Sequence, residues 1–182
     1  MSAKQYVALL RGINVGGQNA VSMSELRDAS EGHGFADVRT FLNSGNVVFS
    51  GGSSPSDLED EIEEMLGAHL GRPLVVVVRS RRQMQNIVRK APDGFGQQPD
   101  LYHSDVIFLK PPLTVGEAME QVELREGVDQ AWPGTGVIYF ARLSARRTES
   151  RVNRMMSGPI YQRMTIRSWS TTTKLLDLLE NG

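Results

Sequence analysis

Two stretches of this chain combine glycine with side chains able to hold a ligand. The first is Arg11-Gly12-Ile13-Asn14-Val15-Gly16-Gly17-Gln18-Asn19, in which Gly12 and Gly17 have the spacing of a phosphate loop. Such a loop needs a lysine to reach the phosphates and a Ser/Thr hydroxyl for magnesium, but Gln18 and Asn19 stand in those places. NTPase chemistry is therefore not expected. What remains is a loop in which Gly12, Gly16 and Gly17 let the backbone approach a ligand, with Arg11 at its base and Asn14 able to donate and accept. The same residues fit a long turn whose Asn14 and glycines merely take left-handed conformations. The second stretch, Asn43-Ser44-Gly45-Asn46, reads first as a hairpin turn. Its side chains would also complete a pocket with Arg11 and Asn14 for a phosphorylated or carboxylated molecule.

Charge supplies the other candidate chemistry. The net charge is only -1, yet residues 71–90 hold six basic and no acidic side chains, and 141–174 hold eight basic and one acidic. The intervening segments are acidic. Arg79, Arg81 and Arg82 in one basic segment, and Arg167 with Lys174 in the other, could form an anion surface; arginine suits forked contacts to phosphate or carboxylate. In Arg167-Ser168-Trp169-Ser170-Thr171-Thr172-Thr173-Lys174 the hydroxyls of Thr171 and Thr173 open a helix whose free N–H groups favour an anion. Trp169 could stack on a base or pack in an interface. The competing reading pairs these arginines with the acidic helix of residues 57–64 and with Glu117 to Glu126.

Other chemistries find little support. The chain has no cysteine, and His33, His69 and His103 show no metal-ligand spacing, so neither a metal nor a cofactor is expected. No GxSxG or HExxH motif is present, and no catalytic carboxylate pair can be singled out. Asn46-Val47-Val48-Phe49 lacks the aromatic pattern of an RNA-reading strand. There is no long apolar run and no signal-peptide pattern, so a soluble cytoplasmic protein without membrane attachment is expected.

The elements that must position these residues follow from pattern. YVALL at 6–10 is a strand, Ser22 and Glu25 make a capping box for a helix to about Glu31, and VRTFLNSGNVVF is a hairpin. Ser56 or Asp57 would cap a helix carrying Leu58, Ile62, Met65, Leu66 and Leu70, and LVVVV is a buried strand. The second half repeats the order: strand DVIFLK, helix Thr114 to about Val122, a hairpin turning at Pro133 to Gly136, a helix over 149–156, strand MTIRSWS and a helix from about Thr171 to Leu179. Ala8-Leu9-Leu10-Arg11 parallels Ile107-Phe108-Leu109-Lys110, Ser44-Gly45 parallels Thr135-Gly136, and Arg79-Ser80 parallels Arg167-Ser168.

The expected fold is thus α+β: two ferredoxin-like βαββαβ lobes related by duplication, each followed by a helix, over residues 1–92 and 93–182. In that topology the loop after the first strand lies beside the second-to-third hairpin, while Arg79 and Arg167 fall at the opposite end of the sheet.

YVALLRGINVGG, FLNSGNVVF, VVVRS and RSWSTTTKL together resemble the bacterial family designated domain of unknown function 1697. The resemblance spans nearly the whole chain and implies a cytosolic α+β protein of two related lobes without an established activity. Gln18 stands where that family often has lysine, Ser150-Arg151-Val152 where it usually has a glycine-rich SKL segment, and Ser168 and Ser170 where asparagines flank the tryptophan.

Three functions remain in play: binding of a polyanion such as nucleic acid, a small-molecule enzyme or anion sensor at the glycine loop, and an interaction module pairing acidic with basic faces. The first leads.

Overall fold

The computed structural model describes residues 3–14 and 20–182. Gly16 and Gly17 of the glycine loop fall outside the described residues. Two compact units are present, one of Met1–Gln85 with Leu175–Gly182, the other of Asn86–Lys174.

In unit 1 the order is β1 (Lys4–Arg11), α1 (Met23–Gly32), β2 (Ala36–Phe41), β3 (Asn46–Gly51), α2 (Pro55–Leu70) and β4 (Val75–Ser80), leading into α3 (Arg81–Arg89). The sheet runs β2-β3-β1-β4 and every neighbouring pair is antiparallel. That is the ferredoxin-like order expected from βαββαβ. Tyr6, Ala8 and Leu10 of β1 point to one face with Val47, Phe49, Val76 and Val78, where they pack with Leu26 of α1 and Leu58, Ile62 and Leu66 of α2. The period of two in the strands and of four in α2 is what brings these side chains together. Val7, Leu9, Val48 and Val77, on the other face, are buried as well.

Helix α1 starts where expected, the Ser22 hydroxyl accepting from the Glu25 N–H at 3.0 Å, but the return half of the expected capping box does not form and Glu25 Oε1 meets His69 Nε2 at 3.0 Å instead. For α2 the cap is Ser54, two residues earlier than the expected Ser56; its hydroxyl accepts from the Asp57 N–H at 3.2 Å. Pro55 decides this, because its fixed φ and missing N–H suit the first helical position.

Unit 2 repeats the plan with β5 (Tyr102–Leu109), α4 (Val115–Glu120), β6 (Asp129–Pro133), β7 (Val137–Leu143), α5 (Val152–Ser157) and β8 (Met164–Ser168), followed by α6 (Trp169–Asn181). Its sheet runs β6-β7-β5-β8, the same order. Ile107, Leu109, Ile138, Phe140 and Met164 form a core with Ala118 of α4 and Val152 and Met155 of α5. Thr114 and Glu117 close a capping box on α4. The helix expected over 149–156 is confined to α5, and 3-10 turns over Ser144–Glu149 and Pro159–Arg163 flank it. Helix α6 begins two residues before the expected Thr171, since Ser168 rather than a threonine accepts the Thr171 N–H, at 3.2 Å.

The halves agree in detail, as internal duplication would leave them. The Leu10 N–H donates to the Gly45 carbonyl at 2.9 Å and the Leu109 N–H to the Gly136 carbonyl at 3.0 Å. Both glycines are left-handed, with φ of 86° and 70°. Ser80 caps α3 through the Gln83 N–H at 3.2 Å, as Ser168 caps α6.

Candidate functional site

The glycine loop and the hairpin do meet at one end of the unit 1 sheet. The Asn14 side-chain amide donates to the Val21 carbonyl at 2.9 Å and to the Asn43 carbonyl at 2.8 Å, and its oxygen accepts from the Val21 N–H at 2.6 Å. Asn14 sits at φ 56° and Gly12 at φ 70°. Asn46 is wholly buried and donates to the Phe41 carbonyl at 2.7 Å and to the Ser44 hydroxyl at 3.2 Å. Both asparagines hold their own loops in shape. Arg11 ends β1 opposite Val75, and Asn43 and Ser44 are exposed at the hairpin tip.

The arginines separate into different classes. Arg79 and Arg167 are buried, each with 6% of its surface exposed. The Arg79 guanidinium donates to the Val78 carbonyl at 2.9 Å and lies 3.7 Å from Glu59, whose carboxylate also accepts the Val78 N–H at 3.0 Å. Burial lowers the Arg79 pKa, opposed by Glu59. Arg167 repeats the posture, donating to the Ile166 carbonyl at 2.9 Å and the Thr165 hydroxyl at 2.8 Å. Burial brings its pKa down to about 10, which still leaves it protonated at neutral pH. As expected, Arg79 lies at the far end of its own sheet from the described start of the glycine loop, opposite Val7, and Arg167 holds the matching place in unit 2, opposite Val106. Two such side chains serve the interior of their sheets.

A second class is neutralised at the surface. Arg151 and Arg154 reach Glu123 at 3.7 and 2.6 Å, and Arg146 reaches Glu149 at 2.6 Å. Arg142 lies 3.7 Å from the buried Asp105. The hydroxyls of the α6 start turn inward: Thr172 donates to the Ser168 carbonyl at 2.9 Å and Thr173 to the Ser170 carbonyl at 3.1 Å, while Ser168 donates to Thr171 at 2.9 Å. Trp169 stands edge-on to Phe95, their centroids 5.2 Å apart. Lys174 is exposed.

Arg81 and Arg82 are different. They are exposed and line a cavity of about 610 Å³ in unit 1, where β1 begins and β4 passes into α3. Pairing of Tyr6 with Ser80 brings Lys4 and Gln5 to the same place. Among the described residues no carboxylate lines this cavity or pairs with Lys4, Arg81 or Arg82. Ser80 and Gln83 cap α3 reciprocally: Gln83 accepts the Ser80 N–H at 2.8 Å and the Ser80 hydroxyl accepts the Gln83 N–H. The N–H groups of Arg81 and Arg82 have no acceptor within the helix, so dipole and side chains add to one positive field. Lys4 carried no signal in the sequence. Only its position two residues before an apolar strand, matched against Ser80, could have singled it out. Among the described residues no cluster of His, Asp or Glu could hold a metal ion, and no helix is long and apolar enough to cross a membrane.

Fold and site together define an α+β protein of two ferredoxin-like units, with an acid-free cationic cavity in the first. Within that class the chain belongs to the family described as Protein of unknown function (DUF1697), whose model matches residues 3–139. Comparison with curated proteins finds no match. Among solved structures it is similar to the conserved bacterial protein SP0830 from Streptococcus pneumoniae, with 26% identity, a TM-score of 0.84, and 98% of this chain and 99% of that one covered.

Proposed function

We propose that the protein binds a small anionic ligand, phosphorylated or carboxylated, in the cavity lined by Lys4, Arg81 and Arg82. The observation that supports this reading is a concave space of about 610 Å³ whose lining holds three cations and no acid. A volume of that size lies within the roughly 300–1,000 Å³ of small-molecule sites. Arginine pairs at such a place offer forked hydrogen bonds to phosphate or carboxylate oxygens. Of the other arginines in the two basic segments, Arg79 and Arg167 are buried and Arg146, Arg151 and Arg154 are paired with glutamates, so a long polyanion finds fewer contacts than charge counting suggests.

Thermal unfolding with inorganic phosphate, glucose 6-phosphate and a short single-stranded oligonucleotide tests this. A bound ligand at a hundred times its dissociation constant adds about 2.7 kcal/mol of stability. The expected result is stabilisation by a small anion that disappears in the Arg81→Gln/Arg82→Gln double variant. Stabilisation that survives the double variant would overturn the assignment. Should the oligonucleotide bind instead, three cations limit its log–log salt slope to about −2, and a much steeper slope would place the surface elsewhere.

A further inference from the structure

A separate cavity of about 360 Å³ lies in unit 2, and its chemistry is of another kind. One wall is the face of the unit 2 sheet that carries Ser104, Ala141 and Gln130, which stand side by side on β5, β7 and β6. Trp132, two residues along β6, forms the adjacent wall and is half-buried. The segment 92–98 closes the third side. It makes two successive turns, with the Phe95 N–H donating to the Pro92 carbonyl at 2.9 Å and the Gln97 N–H to the Gly94 carbonyl at 3.1 Å. Gly94 and Gly96 supply the left-handed φ values, 77° and 72°. Between them Phe95 is buried, edge-on to Trp132, Tyr139 and Trp169 at centroid distances of 6.0, 5.4 and 5.2 Å. That packing fixes the tryptophan wall before any ligand arrives.

The polar groups of the cleft are unengaged. Gln97, Gln98 and Gln130 make no side-chain hydrogen bond with any described residue, and neither does Ser104, which is only 9% exposed. The Ser104 hydroxyl opens onto the cleft and is not sealed from it, so it stands available to an entering group. Among the described residues no lysine, arginine or histidine lines the space, and Asp93 of the closing segment adds a carboxylate, so it does not select an anion.

The matching corner of unit 1 shows that this is a departure. There Arg39 lies opposite Val48, as Trp132 lies opposite Tyr139, and Gln5 lies opposite Ser50, as Ser104 lies opposite Ala141. In unit 1 two of these groups are tied down, Ser50 donating to Asp37 at 2.9 Å and Arg39 to the Leu178 carbonyl at 2.9 Å, while the Gln5 side-chain oxygen is buried without a partner. At these sheet positions unit 2 has exchanged charged groups for uncharged ones with an aromatic wall and idle carboxamides, and Asp93 is the one charged side chain among the described residues that line the cleft.

We propose that this cleft binds an uncharged nucleobase or nucleoside, its ring against Trp132 and its edge read by the carboxamides of Gln97, Gln98 and Gln130 and the Ser104 hydroxyl. A carboxamide sets a donor beside an acceptor, which matches the mixed edge of a base and not a phosphate. An aromatic wall supplies the stacking that such rings favour.

The test is titration of the full chain with adenosine, guanosine, cytidine and uridine, and with methyl glucoside, followed by amide and indole N–H signals in NMR. One nucleoside is expected to shift the Trp132 indole and the Gly94 and Gly96 amides. Its affinity should fall roughly ten- to a hundredfold in Trp132→Leu and in Gln130→Leu, and be retained in Trp132→Phe. Gln130 is exposed, so its variant keeps the fold and reports binding alone. The proposal is overturned if no nucleoside shifts these signals at millimolar concentration, if methyl glucoside binds in their place, or if Gln130→Leu binds as the native chain does. Because the probes are uncharged, the result is independent of the cationic cavity.

Discussion

The side chain of Asn14 donates to the backbone carbonyl of Asn43 at 2.8 Å and so fastens the loop after β1 to the β2–β3 hairpin. With its two bonds to Val21, one residue joins three backbone positions. Asn14→Asp keeps the oxygen that accepts from Val21 but turns two donations into repulsion between oxygens. A loss of about 2 kcal/mol in urea unfolding is expected. Asn14→Gly relieves the left-handed backbone yet removes every bond, and should also destabilise. Stability within about 0.5 kcal/mol of the native chain for both would show that the clamp contributes nothing.

Gly96 and Gly94 separate steric from conformational cost. A Cβ on Gly96 would come 2.0 Å from Cδ1 of Trp169, whereas one on Gly94 meets nothing within 4 Å. Both residues are left-handed, so each alanine costs about 1–2 kcal/mol in backbone strain. Gly96→Ala should cost about 2 kcal/mol more, from displacement of the indole. Equal effects in thermal unfolding would mean that Trp169 yields freely.

Asp105 gives a dependence on pH. Burial raises its pKa, against the pull of His103 at 3.3 Å and Arg142 at 3.7 Å. A carboxyl whose folded pKa lies above its unfolded value stabilises most below the unfolded value, and that contribution is lost as pH rises through the folded one. Asp105→Asn cannot ionise, so its stability relative to the native chain should improve as pH climbs from the ordinary carboxylate range towards neutrality. Urea midpoints that diverge in the opposite sense would show that the contacts to His103 and Arg142 outweigh burial.

Glu123 accepts from Arg154 at 2.6 Å and faces Arg151 at 3.7 Å, but these side chains are 53%, 63% and 35% exposed. Water and salt screen such pairs. Glu123→Gln should change stability by less than about 1 kcal/mol, and a larger loss in denaturant titration would reveal a network that exposure hides.

How far the sequence speaks is best judged on single residues. The Ser22 cap, the glycines at 45 and 136, and the repeated order of runs carry local chemistry that tertiary packing does not override, and from them the strand order and the meeting of loop and hairpin follow, whereas Glu25 leaves its expected box for His69. Arg79 and Arg167 show the limit. Charge invites a surface assignment, yet each sits next to the end of a largely buried strand and finds its partners inside. Phe95 shows another. Between Gly94 and Gly96 it has the composition of a connector, and only the positions of Trp132, Tyr139 and Trp169 make it the centre of an aromatic cluster. Lys4 joins Arg81 and Arg82 only through strand pairing.

Unit 1 is assembled from both ends of the chain, since Leu175–Gly182 belongs to it. Arg39 of β2 donates to the Leu178 carbonyl, and Gln85 to Glu180 at 2.7 Å. During synthesis on a ribosome, the strands and helices up to Gln85 emerge long before those last residues exist. The nascent first half must therefore wait until residues 175–182 emerge before its fold is complete. A gene cut between the repeats would yield a fragment that lacks its own final turns, and adding residues 175–182 as a separate peptide is the natural way to restore it.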